Sequence, residues 1–351
     1  MAAAKGPAAI LEPRASATLD DYVADLAWSG DSTRLAIAGG EGRVFLARFE
    51  AGAGRSALEV RQLGEHMMGA LAVAWRPKAD EFASSGQDNA IAFWDGASGA
   101  ERRRIRPAMA WTEQLAWSPD GTQLASAAGK QLSLWTPEGE SIHKFEPQAG
   151  SIAALGWDKP GRDLAAATNG AIVIHRNESS RWSTRQYKWP AGCLTVAFSP
   201  NGRVIATGMQ DGSLHFWYLS SGKDSQMRGY PGKVNLTSWS GDSRWLASNA
   251  GNEVVCWDFS GKGPEGTRPV QLSGHTDRVE CMAFQPGGPL LVSAGRDWRL
   301  NLWHPGKAKQ ALDAHLTDAE PSSLRWSPDG RHVSVGERKG KLTVYEVVKL
   351  V

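Results

Sequence analysis

Apolar and polar positions along this chain pass through the same short cycle eight times. Each cycle opens with an apolar residue, a small one and an aromatic. A turn rich in Ser, Pro, Asp and Gly follows, then a Leu-Ala-Ser-like run, a second turn and an apolar run that commonly ends in Trp. The first aromatics are Trp28, Trp75, Trp117, Trp157, Phe198, Trp239, Phe284 and Trp326, spaced 47, 42, 40, 41, 41, 45 and 42 residues apart. In the stretch Leu115–Trp135, Pro119 presets φ and Gly121 accepts a positive φ, so Ser118–Gly121 turns the chain between two short strands. Gly129-Lys130 turns it again before Leu132–Trp135. Short runs joined by such turns predict neighbouring antiparallel strands.

A strand-built repeat of about 42 residues predicts a β-propeller, one blade per cycle. The residue before the marker aromatic is Ala27, Ala74, Ala116, Gly156, Ala197, Ser238 or Ala283 in seven units, and Arg325 in the last. Side chains alternate faces along a strand, so one face of this inner strand is bulky and the other nearly bare. That suits a strand squeezed between neighbouring sheets near a central axis. A blade needs four strands, and the fourth falls before the next unit, as at Ser141–Glu146 and Val270–Ser273. After Trp326 three strands remain, the last near Lys341–Val347, while Ala9–Ala17 precedes the first unit in the fourth-strand position. The expected fold is therefore all-β: an eight-bladed propeller of four-stranded antiparallel blades, closed by an N-terminal strand. Seven blades, the alternative, would orphan a complete repeat. The expected organisation is a flexible N-terminus over residues 1–8 and one propeller over 9–351.

With 39 Lys and Arg against 37 Asp and Glu, the net charge is +2, which argues against a dedicated nucleic-acid surface. The start, MAAAKGPAAILEPR, does not read as a secretory signal, and no run of apolar residues is long enough to span a membrane. Cys193, Cys256 and Cys281 form no CxxC, so reduced thiols and a cytoplasmic location are expected. The stretches Gly52–Val60, Asn177–Lys188 and Gly261–Thr267 are polar departures from the cycle and read as mobile loops.

The units resemble the WD-repeat (WD40) β-propeller family over residues 17–348. Trp94-Asp95 and Trp257-Asp258 match its naming dipeptide, and Trp135, Trp217 and Trp303 keep the Trp. The resemblance implies a structural His–Ser/Thr–Asp–Trp hydrogen-bonded set. His66, Ser84, Asp88 and Trp94 match it, and His275, Ser293, Asp297 and Trp303 match it at identical spacings. The fifth unit keeps Thr207, Asp211 and Trp217 but has Trp189 where His is expected. The fourth and eighth units end their third strands with His175 and Tyr345. In the family an N-terminal strand commonly completes the last blade.

No P-loop, GxSxG or EF-hand cluster is present, and the histidines outside the structural set show no HxH or HxxxH spacing. An enzyme is not expected, nor a metal or cofactor. A propeller enzyme or metal site at the channel mouth is the first alternative, and nucleic-acid binding through Arg102, Arg103, Arg104 and Arg106 is the second. Of 16 Trp the repeat uses eleven, leaving Trp111, Trp182, Trp189, Trp245 and Trp298. Trp111 and Trp189 precede first strands, and Trp298 sits between second and third strands. Loops of these two kinds open on one end of a propeller. Tyr22, Met67, Met68, Tyr230, Lys233, Arg278 and Arg296 fall in the same loops. Aromatics, Met and Arg gathered on one rim favour protein recognition. The expected function is a non-catalytic scaffold, monomeric by itself, binding a protein or peptide through Tyr22, Met68, Trp111, Trp189, Tyr230, Lys233, Arg278, Arg296 and Trp298.

Overall fold

A computed structural model describes residues 9–50, 56–178 and 181–349. Residues 1–8, expected to be flexible, lie outside these, as does 52–55 of the first polar stretch. The described residues form eight blades around a central axis, each an antiparallel sheet running outward from an inner strand. Blade 1 comprises Val23–Trp28, Arg34–Gly39, Arg43–Arg48 and Glu59–Glu65. Blade 7 comprises Val279–Phe284, Leu291–Gly295, Arg299–Trp303 and Asp313–Leu316.

Blade 4 is continuous where the others break. Asp163–Glu178 is one long strand segment, but Asn177 N donates to Arg162 O at 3.0 Å, so it doubles back around Asn169-Gly170. Gly170 takes φ 93° there, a conformation that suits glycine. The next strand, Arg181–Gly192, pairs with its second half from Glu178↔Arg181 to Ala171↔Lys188. The expectation of a mobile loop over Asn177–Lys188 is thus overturned. The stretch is polar because it forms the outer part of a blade, where side chains face water.

Blade 8 closes the ring from both ends of the chain. Pro321–Trp326, His332–Glu337 and Lys341–Lys349 form its inner three strands, and Ala9–Thr18 pairs antiparallel along the last, from Ala9↔Lys349 to Thr18↔Lys341. A fifth segment, Ser56-Ala57, then pairs in parallel with Ala15-Ser16. Eight blades and the closing strand agree with the sequence reading.

The core lies between blades. Ala36, Val44 and Leu46 of blade 1 pack with Val73, Trp75, Phe82 and Trp94 of blade 2. Across the closure, Ala15, Leu342 and Val344 pack with Val23, Trp28 and Leu35. Burying each large side chain stabilises by roughly 1.5–3 kcal/mol relative to exposure. The bare face of the inner strand has a second use. Five marker indoles reach past it to donate to the preceding blade's backbone, at the residue just before that blade's own marker. Trp117 donates to Ala74 O at 3.1 Å, Trp157 to Ala116 O at 3.0 Å and Trp239 to Ala197 O at 3.2 Å. Trp326 donates to Ala283 O at 2.9 Å, and Trp28 completes the circuit to Arg325 O at 3.3 Å. Arg325, the one large residue at this position, is half exposed and forms an ion pair with Asp25 at 2.6 Å.

Candidate protein-binding rim

Two blades carry a complete polar relay. Trp94 Nε1 donates to Ser84 Oγ at 2.8 Å, Ser84 Oγ lies 2.8 Å from His66 Nε2, and His66 Nδ1 lies 2.9 Å from Asp88 Oδ1. Asp88 only accepts when ionised, so Nδ1 carries the proton and the serine hydroxyl donates to Nε2. Trp303, Ser293, His275 and Asp297 repeat the chain at 2.8, 2.8 and 3.0 Å. Burial holds both imidazoles below their ordinary pKa, while both carboxylates lie below theirs, aided by the histidine hydrogen bonds. The relays join the loop ahead of the inner strand to the turn between the second and third strands. They fix the face on which these two kinds of loop meet.

Backbone hydrogen bonds knit that face. Gly40 N donates to Tyr22 O at 3.0 Å, Gln87 N to Gly69 O at 2.9 Å, Arg296 N to Arg278 O at 2.9 Å and Thr317 N to Trp298 O at 2.8 Å. Five of the exposed large apolar side chains stand in consecutive loops over blades 1 to 3: Tyr22, Met67, Met68, Met109 and Trp111. Trp298 and Leu316 extend the arc at blade 7. Met109 is 97% exposed, Met68 74% and Trp111 47%. Met68 and Trp298 also hold left-handed backbone, at φ 71° and 60°. Asn89 holds the same conformation at the turn position of blade 2 that matches Trp298, so there it belongs to the repeat's turn.

The remaining expected rim residues divide. Arg278 and Arg296 converge on Glu280 at 3.2 and 2.7 Å, and Lys233 is exposed. Trp189 is half buried, its ring 4.0 Å from that of His215. Tyr230 belongs to the framework: Trp257 Nε1 donates to its hydroxyl at 2.9 Å, and the hydroxyl lies 2.8 Å from Ser248 Oγ. Burial raises its pKa to about 12. Tyr230 precedes Ser248 by 18 positions, as His66 precedes Ser84 and His275 precedes Ser293. It is the histidine's substitute in blade 6. That spacing was available in the sequence; the residue type concealed it. Met109 and Leu316 carried no signal beyond loop position.

At the channel, a cleft of 530 Å³ runs between the inner strands of blades 1 to 3, lined by Asp25, Leu71, Glu113 and Leu115. Asp25 is engaged on both sides, by Arg325 and by Val73 N at 3.2 Å. Among the described residues no group of three or more His, Cys, Asp or Glu is arranged to hold a metal ion. The three cysteines are free and buried.

The family profile described as "WD domain, G-beta repeat" matches residues 184–218, 266–304 and 306–346. Three segments of this eight-bladed propeller are thus similar to WD repeats. Each match begins at or before an outer strand and ends in the third strand of the next blade, so the propeller's unit of sequence straddles two blades. Among relatives, "Cell division cycle 20.5, cofactor of APC complex" of Arabidopsis thaliana is 27% identical over 320 residues, covering 85% of this chain and 69% of that one. "B-type cell cycle switch protein ccs52A" of Medicago truncatula is 22% identical over 257 residues, covering 70% of this chain and 53% of that one. The propeller thus spans about two thirds of the first and about half of the second. Among solved structures, the computationally designed Ika8 protein superposes with a TM-score of 0.79 at 17% identity, over 95% of this chain and 99% of that one. This last likeness concerns fold alone.

Proposed function

We propose that this propeller is a non-catalytic adaptor that holds a protein or peptide partner on the face bearing Tyr22, Met67, Met68, Met109 and Trp111. The observation that carries the reading is the run of exposed, large apolar side chains in three consecutive loops of one face. Large exposed apolar groups gathered together mark interaction sites, whereas scattered ones do not. Relatives described as cofactors of a multi-protein complex support a partner that is itself protein. A reducing, cytoplasmic setting suits three buried free thiols.

The nucleic-acid alternative is disfavoured by what surrounds the arginine run. Arg102 pairs with Glu81 and Asp95, Arg104 with Glu101 and Asp88, and Arg103 donates to Glu138 O. Arg102 and Arg104 are thus neutralised within blade 2, and Arg103 is held by a carbonyl of blade 3. The test is affinity capture with the native chain and with a Trp111→Ala, Met68→Ala variant, captured proteins being compared by mass spectrometry. Partners should drop at least about tenfold at unchanged melting temperature, the scale of an interface hot spot. Undiminished capture would place the partner surface elsewhere.

A further inference from the structure

Blade 4 differs from its neighbours at its outer edge. Its last strand, Arg181–Gly192, has 12 residues, against 4 to 7 in the outer strands of blades 1, 2, 3, 5, 6 and 7. Among the described residues it pairs only with Asp163–Glu178, so its other backbone edge is open. Natural sheets blunt such edges with charge. Here Arg181, Arg185 and Lys188 lie along the strand, which contains no acid. Among the described residues none of the three forms an ion pair; Arg185 instead covers the Tyr187 ring at 4.7 Å and donates to Leu219 O at 3.4 Å. Blade 2 is the internal control, since Arg102 and Arg104 are each met by two carboxylates. The blade 4 edge is cationic, and no carboxylate among the described residues pairs with Arg181, Arg185 or Lys188.

Beside this edge a cleft of 540 Å³ opens toward blade 3. Trp182, Thr184 and Gln186, the alternate side chains of the strand, form one wall, and His143 and Phe145 form the other. His175 lines it too. That residue is 3% exposed, its Nδ1 lies 3.0 Å from Thr184 Oγ1, and its Nε2 has no hydrogen-bond partner among the described residues. A buried imidazole nitrogen without a partner is costly unless something supplies one.

We propose that the outer edge of blade 4 binds an extended acidic peptide segment of a partner protein as a fifth strand. Its carboxylates would lie against Arg181, Arg185 and Lys188, and a side chain would enter the cleft beside Trp182 and His175. Strand addition draws affinity from main-chain hydrogen bonds and specificity from pockets under alternate side chains. The fold already tolerates such an addition: Ser56-Ala57 is a fifth segment on the closing strand of blade 8. This surface is separate from the rim over blades 1 to 3, so either can fail without the other. A polyanion such as nucleic acid would meet the charges but make no use of the open amide edge or the cleft.

The test selects random peptides matched to the strand's length on the immobilised full chain and measures the winners by fluorescence anisotropy. Selected peptides should be rich in Asp and Glu. They should lose at least about tenfold in affinity for an Arg181→Glu, Arg185→Glu variant and be abolished by N-methylation of one alternate set of their amides. They should bind a Trp111→Ala variant normally. Trp182→Ala, with the charges intact, should weaken them as well. The proposal is overturned if no peptide is selected, if the winners are not acidic, or if they bind the charge-reversed chain equally at unchanged melting temperature. It is also overturned if mixed-sequence single-stranded DNA competes for the edge and the amide methylation has no effect.

Discussion

Blades 6 and 7 stand side by side and meet one requirement with different chemistry. Each must bury a third-strand tryptophan and a second-strand hydroxyl without orphaning their polar atoms. Blade 7 uses His275, whose two nitrogens reach Ser293 on one side and Asp297 on the other. Blade 6 uses Tyr230, whose one hydroxyl serves both Trp257 and Ser248 and goes no further. At the position matching Asp297, blade 6 has Asn252, which turns away and donates to His275 O at 3.2 Å, tying blade 6 to blade 7. Satisfying the indole and anchoring the turn are therefore separable tasks. The histidine does both; the tyrosine does the first and leaves the second to neighbours.

The separation can be broken experimentally. His275→Ala should have the largest effect, because it opens a cavity and strands Ser293 and Asp297 together. A loss of about 3 kcal/mol is expected in urea unfolding. Asp297→Ala should cost about 1–3 kcal/mol, since His275 Nδ1 and Thr276 N, the latter at 2.7 Å, lose a buried acceptor. Tyr230→Phe keeps the ring but deprives Trp257 and Ser248 of the hydroxyl. It should cost about 1–2 kcal/mol and leave partner capture by the rim intact; a loss of capture would return Tyr230 to the interface. Asp211→Ala should be nearly silent, within about 0.5 kcal/mol, because Asp211 is exposed and, among the described residues, is met only by Ser213 Oγ, at 2.6 Å. A cost equal to that of Asp297→Ala would mean that the relay does not set the difference.

The last test uses pH. Burial lowers the folded-state pKa of His275 below its ordinary 6.5. As pH falls below that value, the opened chain binds a proton before the folded one does, so opening becomes easier. Blade 6 has no equivalent, because burial moves Tyr230 the other way, to about 12. Indole hydrogen exchange of Trp303 should accelerate between pH 7 and 5 relative to Trp257 once intrinsic exchange is corrected. Parallel behaviour would show that the relay does not report on local opening.

Much of this was legible in the chain. Marker aromatics, turn residues and tiny neighbours specified eight blades, because each blade must repeat the same wedge around one axis. The two full relays were legible because they rest on fixed offsets. Asn177–Lys188 was not, since an outer strand in contact with water loses the apolar alternation by which strands are recognised. Arg325 broke the small-residue rule because its side chain lies beside the channel and meets Asp25, from a blade adjacent in space but distant in sequence. The rim was partly legible: loop position located Tyr22, Met68 and Trp111, while exposure separated them from Tyr230.

The strand that completes blade 8 also sets an order of events in folding. Arg14 meets Glu346 across 332 positions, at 2.7 Å. Ala9–Thr18 precedes every other strand of the propeller in the chain, and its partner, Lys341–Lys349, follows them all. Throughout synthesis blades 1 to 7 can pair locally, while the inner faces at the two ends of the growing arc stay uncovered. Contacts this distant in sequence form slowly, and uncovered faces and edges invite aggregation in the interval. Pairing of these two strands is therefore the step that converts an open, sticky arc into a sealed ring.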